Sequence, residues 1–121
     1  MIKVKQTTFY PGGNCLSACF ASIFEKDIND IPDFIGMKDF WDQVIEYLES
    51  IGYEYNGLVR FNNEYNKYIK DCYYIVMGKS ERGCNHVCIY KNGKLVFDPH
   101  PSDLGLMAED WILDIIKKDS I

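Results

Sequence analysis

The run Gly12-Gly13-Asn14-Cys15-Leu16-Ser17-Ala18-Cys19-Phe20-Ala21-Ser22-Ile23-Phe24 constrains the fold more than any other stretch of this chain. A glycine-rich turn leads into residues at helical spacing, and no charge appears before Glu25. A helix without a charged face has to be covered on nearly every side. Ala18, Cys19 and Ser22 make one stripe small, while Leu16, Phe20 and Phe24 make another bulky. The expectation is a central helix from Asn14 or Cys15 to Glu25, pressed closely against a sheet. Cys15 opens that helix, where unpaired backbone N–H groups and the macrodipole favour a thiolate over a thiol.

A chain of 121 residues supplies one core around such a helix and not two, so residues 1–121 are read as a single domain. Residues 2–10 read as an extended arm with a polar handle at Gln6, followed by the turn Pro11-Gly12-Gly13. Ile28, Ile31 and Phe34 punctuate a loop that holds Pro32, and they pin it to the core. Phe40, Trp41, Val44, Ile45, Leu48 and Ile51 then recur at helical spacing opposite Asp42, Glu46 and Glu49. They predict a second helix from about Asp39 to Ile51, stopped by Gly52.

Beyond Gly52 the period changes. Tyr53 to Phe61 predicts a short strand broken at Asn56-Gly57, Asn62 to Asp71 a polar connection with room for one helical turn, and Cys72 to Met77 a strand. Gly78 to Cys84 reads as a turn. Leu106 to Lys118, with Met107, Trp111, Ile112, Ile115 and Ile116, reads as an amphipathic helix covering an apolar sheet face.

Asn85 to Pro99 is a hairpin with two possible registers. A two-residue Asn92-Gly93 turn would put Val87 and Ile89 on one face with Lys94, Val96 and Asp98. A three-residue loop, Lys91-Asn92-Gly93 with a bulge at Gly93, instead collects Val87, Ile89, Leu95 and Phe97 on one face. His86, Cys88, Tyr90, Val96 and Asp98 then share the other. The cleaner segregation favours the bulged loop and sets His86 directly across from Asp98, where cross-strand Cβ atoms are about 5 Å apart.

Charge and cysteine usage narrow the function. Lysines and arginines number 13 against 18 acidic residues, a net charge of −5, which argues against nucleic acid as a partner. The basic patch of Lys79 and Arg82 around Ser80 and Glu81 is too small to reverse that. No apolar run approaches the ~20 residues of a membrane span, and Met1 to Gln6 lacks the apolar centre of a signal peptide. The expected setting is a reducing cytoplasm without membrane contact. There Cys15, Cys19, Cys72, Cys84 and Cys88, an odd set, stay as thiols. A zinc site drawn from Cys15, Cys19, Cys84, His86 and Cys88 has poor geometry, because strand residues two apart stand well separated on one face. No metal and no cofactor is expected, and Cys19, Cys72 and Cys88 read as small buried hydrophobes.

What remains is a thiol at a helix start and a histidine braced by an aspartate at the end of a hairpin. A cysteine hydrolase needs a thiolate nucleophile, an imidazole to hold it as an ion pair and protonate the leaving group, and a third group to orient the ring. The order of a Gln-bearing arm, Gly13-Asn14-Cys15-Leu16-Ser17-Ala18-Cys19, and a distant His86 to Asp98-Pro99 block resembles the papain-like cysteine peptidase superfamily. Within it the chain is most similar to the compact bacteriocin-processing (double-glycine) peptidase-like branch. Asn14 and Leu16 stand where that branch commonly has Asp and Gly, and the Pro11-Gly12-Gly13 turn absorbs a longer spacing between Gln6 and Cys15.

The resemblance implies an α+β fold in which a central N-terminal helix carrying the cysteine packs on an antiparallel sheet carrying the histidine and aspartate. It implies Cys15 as nucleophile, His86 as acid and base, Asp98 as orienting group and Gln6 as oxyanion-hole donor. Tyr10, Gly13, Asn14 and Asn85 are expected to border the substrate, with the Gly78–Cys84 loop and His100-Pro101-Ser102 as further walls. The expected activity is cleavage of an amide bond in a peptide, protein or small amide through a thioester. An acyltransferase or amidase of the same fold, and a binding module without turnover, are the alternatives.

Overall fold

The computed structural model describes residues 1–9, 13–62, 64 and 71–118. Two helices, α1 (Cys15–Phe24) and α2 (Phe40–Ser50), precede five strands: β1 (Tyr53–Arg60), β2 (Tyr73–Lys79), β3 (Asn85–Lys91), β4 (Lys94–Phe97) and β5 (Ala108–Lys117). A single 3-10 turn, Ile28–Asp30, lies between the helices. The strands form one antiparallel sheet in the order β1-β5-β2-β3-β4. The fold is α+β.

α1 is buried along most of its length. Leu16 to Ser22 are all buried, and the helix ends at Glu25, whose left-handed φ of 55° lets its N–H and that of Lys26 reach the Ala21 carbonyl. The small stripe permits two close approaches. Cys19 lies against the β3 backbone, with Sγ 3.8 Å from the Val87 carbonyl oxygen. Ser22 Oγ accepts from Val4 N at 2.9 Å and donates back to the Ala18 carbonyl, tying the N-terminal arm to the helix. On the bulky side Phe20 packs its ring 5.7–6.0 Å from those of Phe24, Phe34 and Tyr47. The main core thus lies between both helices and one face of the sheet, where Ile75, Val87, Ile89, Phe97 and Leu113 are buried. Val76, Cys88, Tyr90 and Ile112 form a smaller cluster on the other face, covered by Phe61 and Leu106.

Two expectations fail here, for identifiable reasons. The segment read as an amphipathic C-terminal helix is strand β5, inserted between β1 and β2. A strand with neighbours on both edges and cover on both faces carries a nearly continuous apolar run, and such a run also satisfies helical spacing. It is α1, and not a C-terminal helix, that covers Val87, Ile89 and Phe97.

The hairpin is also differently built. Lys91 pairs with Lys94 and Tyr90 with Leu95, so the turn is the two-residue Asn92-Gly93, with φ of 53° and 80°. Positive φ at both central residues is what a type I′ turn requires and what Asn-Gly tolerates. The ladder then slips, so that Ile89 pairs with Phe97 and Val96 is the extra residue. The bulge that restores the apolar phase sits in β4 and not in the turn. Leu95 consequently shares the Tyr90 face and is 41% exposed. Counting on from Ile89 and Phe97, Asp98 falls opposite Cys88, one step diagonal from His86.

The other elements follow expectation closely. β1 runs through Asn56-Gly57 with a register irregularity between Tyr55 and Leu58, and β2 continues two residues past Met77. The polar connection expected over 62–71 lies for the most part outside the described residues.

Candidate active site

Three elements converge on one end of β3. His86 is its second residue and is only 4% exposed. Asp98 follows β4, and its carboxylate collects three donors or partners: His86 Nε2 at 2.7 Å and His100 N–H at 2.9 Å on Oδ1, and Gly105 N–H at 2.9 Å on Oδ2. The left-handed Gly105, φ 72°, brings its N–H back to the carboxylate. Lys5 straps the N-terminal arm over this corner, donating to the Asp98 and His100 carbonyls at 2.9 and 3.1 Å and pairing with Asp103.

With Nε2 committed to Asp98, His86 Nδ1 is the nitrogen left for a thiol. Burial alone pulls the imidazolium down, but the hydrogen bond to Asp98, followed by the influence of the neighbouring Cys15 and Cys88 thiols, outweighs it and raises the group to about 11. Burial pushes Asp98 up, and here too the His86 hydrogen bond and the two backbone N–H groups prevail, holding the carboxyl far below the usual carboxylate range. Both groups are therefore charged at neutral pH. Cys88, fully buried behind the ring, has its thiol pushed up by burial against the opposing pull of His86. Cys19 is pushed up by burial as well. Both remain protonated, so Cys15 is the thiol of this group that is open to a ligand.

Cys15, Gln6, Gly13, Asn85 and His86 border a cleft of about 360 Å³. Phe9, Ile35, Arg82, Cys84 and His100 complete its walls. Gly13 lets the arm pack closely, since a Cβ there would stand a tight 3.2 Å from the Thr8 carbonyl oxygen and 3.3 Å from Gln6 Nε2. Gln6 is buried, its N–H donating to the Pro99 carbonyl at 3.0 Å and its Nε2 to Thr8 O at 3.0 Å. Among the described residues Nε2 has one hydrogen without an acceptor, and the buried Oε1 has no donor.

Asn14, expected beside the substrate, is absent from the cleft wall. Its Oδ1 accepts from Thr7 and Thr8 N–H at 2.9 and 3.0 Å, and its Nδ2 donates to Thr7 Oγ1. The side chain staples the arm to the start of α1 and thereby sets Gln6 beside Cys15. Tyr10 lies outside the described residues. Phe9 and Ile35 were not legible as cleft residues. Cys88 carried a readable signal, its position two residues after His86 on the same strand face.

His86, Cys88 and Asp98 bring one ligand atom each to within 4.8 Å of one another, a set different from the one weighed from sequence. Ligands of a tetrahedral zinc, each about 2.0–2.3 Å from the metal, stand more than about 3 Å apart. The 2.7 Å contact of His86 with Asp98 is a direct hydrogen bond and leaves no room for an ion between them.

A larger apolar cavity of about 500 Å³ opens between the end of α1 and the sheet, at Phe24, Tyr53, Tyr73 and Ile115. Among the described residues that line it, Cys72 and Lys117 are joined by no histidine or carboxylate, so the candidate site is the smaller cleft. No described helix is long and apolar enough to cross a membrane. The chain matches no family model, no curated protein and no solved structure.

Proposed function

We propose that this protein is a papain-like cysteine hydrolase that cleaves an amide bond through a thioester on Cys15. One observation carries the reading: a buried imidazole held by a carboxylate on Nε2 has its other nitrogen available to a thiol that opens a helix and borders a cleft. Asp98 fixes the ring and keeps it charged, which supports a thiolate–imidazolium pair.

In the first step the Cys15 sulfur bonds to the amide carbonyl carbon, and the carbonyl π pair moves to oxygen. The oxyanion is stabilised by the Cys15 N–H, which precedes the helical ladder, and by the second hydrogen of Gln6 Nε2. His86 passes a proton to the leaving nitrogen as the C–N bond breaks. Water then gives a proton to His86 while its oxygen attacks the thioester, and the C–S bond breaks to return the thiolate and release the acid.

The test is alkylation by iodoacetamide as a function of pH, read by intact mass and peptide mapping. Cys15 is expected to react rapidly at about pH 6, where an ordinary thiol such as the exposed Cys72 does not. His86→Ala should abolish that low-pH reactivity. A Cys15 that reacts no faster than Cys72, or is indifferent to His86, overturns the proposal.

A further inference from the structure

The cleft differs in charge from the rest of the molecule. Acidic residues outnumber basic ones by 18 to 13 over the chain, yet no carboxylate stands among the described residues that line the cleft. Beyond His86, the one charged side chain among the described residues that line it is Arg82. Arg82 sits at the tip of a loop closed on itself, with Ser80 N–H donating to the Cys84 carbonyl and Gly83 N–H to the Ser80 carbonyl, each at 3.0 Å. Its Nη1 donates to Ser102 Oγ at 3.2 Å, and among the described residues nothing else accepts from the guanidinium, whose remaining donors can meet a ligand.

Ser102 also fixes the neighbouring wall. Its backbone N–H, which can only donate, points at His100 Nδ1 at 3.0 Å, and its Oγ stands 2.9 Å from the same nitrogen. Nδ1 is therefore the acceptor and the ring proton sits on Nε2. Burial, then the charge of Arg82, hold the imidazole neutral by lowering it from its ordinary value. Among the described residues no group accepts from Nε2. Phe9 and His86 confine the ring edge-on at 5.5 and 6.1 Å.

The cleft is thus lined by a guanidinium, a neutral N–H donor and the thiol. Its volume lies at the small end of the ~300–1,000 Å³ typical of ligand pockets, so a ligand held by one wall is within reach of the other. We infer that the substrate is an amide carrying a carboxylate close to the scissile bond, with Arg82 as the ion-pairing residue and the His100 Nε2–H as a second donor. The inference rests on the hydrolase reading, since it places the carboxylate relative to Cys15. Two sources share this chemistry, the α-carboxylate at a peptide C-terminus and the side chain of Asp or Glu.

The experiment compares iodoacetate with iodoacetamide as alkylating agents, two probes of similar size that differ in a carboxylate. The rate ratio of the two at Cys15 is divided by the same ratio at the exposed Cys72. The normalised ratio is expected to exceed unity by about tenfold at low ionic strength, to shrink as salt is raised, and to fall toward unity in Arg82→Gln. A ratio near unity in the wild type, or one unaltered by Arg82→Gln, overturns the inference even when Cys15 is fast with both reagents. A Cys15 as slow as Cys72 with both defeats the hydrolase reading instead.

Protection of Cys15 from iodoacetamide separates the two sources. N-acetyl-Gly-Gly offers a terminal carboxylate, N-acetyl-Gly-Glu-amide a side-chain one, and N-acetyl-Gly-Gly-amide neither. Stronger protection by one acid than by the neutral amide supports the inference and names the source. Equal protection by all three overturns it.

Discussion

Asp98 is the residue on which the corner of the site depends. It is 3% exposed and holds His86 on one oxygen and two backbone N–H groups across both. Removing one member of a buried, hydrogen-bonded charge pair strands the other, which typically costs about 3–5 kcal/mol. Asp98→Ala is therefore expected to destabilise the protein by that order, measured by urea denaturation. Asp98→Asn, which keeps the shape and loses the charge, should erase a characteristic pH profile. The raised His86 contributes stability that is full below its unfolded value of 6.5 and declines as pH climbs to its folded value of about 11. The depressed Asp98 contributes stability that is full above its unfolded value of 3.8 and is lost as pH falls toward its still lower folded value. The gap in thermal midpoint between wild type and Asp98→Asn should accordingly be widest between about pH 4 and 6.5 and narrow on either side. A gap independent of pH would mean that the pair is not ionic in the folded state.

Among the elements, β5 and the β3–β4 hairpin show how tertiary context chooses between readings that local sequence leaves level. Read as a helix, the C-terminal segment would bury Ile116 in its apolar stripe and leave Leu113 outside it. In the sheet Leu113 is 1% exposed and Ile116 is 44% exposed. Leu113→Ala should therefore cost about 3 kcal/mol, the loss of a core leucine. Ile116→Ala should cost under about 1 kcal/mol. Chemical denaturation of the two variants in parallel gives the order, and the reverse order would fit the helix. In the hairpin the local rule was sound but was applied in the wrong place. Asn92-Gly93 makes its preferred two-residue turn, braced by Tyr74 OH accepting from Gly93 N–H at 2.8 Å, and the bulge is paid out at Val96. The histidine and aspartate still meet, along a diagonal.

For the molecule as a whole, the seam between β2 and β5 joins two groups of elements: α2 with β1 and β5 on one side, α1 with β2, β3 and β4 on the other. Gly78 makes that seam possible. A Cβ at this position would fall 1.7 Å from the Ala108 carbonyl oxygen and 2.9 Å from its carbon, both backbone atoms that cannot rotate away. The β2–β5 register slips at this point, between Met77 and Gly78. Gly78→Ala is expected to push the strands apart and cost about 3 kcal/mol or more, read from urea denaturation. A loss below about 1 kcal/mol would show that the seam closes without this contact.

Several features were legible from the chain alone because each rests on local physics. The uncharged run after Gly13 demands a buried helix, the period of Phe40 to Ile51 demands an amphipathic one, and the Asn-Gly hairpin demands two adjacent antiparallel strands. Those facts placed Cys15 at a helix start, and His86 and Asp98 at the end of one hairpin. Sequence could not decide which strand lies beside which, because strand order is set by the joint burial of distant segments. β5 became a strand only because β1 and β2 both needed a partner. For the same reason the placement of Arg82 and His100 around the thiol, and the diversion of Asn14 from the cleft to the arm, belong to the tertiary structure. The first depends on hydrogen bonds between residues far apart in the chain, such as Arg82 with Ser102 and Lys5 with the Asp98 and His100 carbonyls, and the second on the fold of the arm that brings Thr7 and Thr8 back to Asn14.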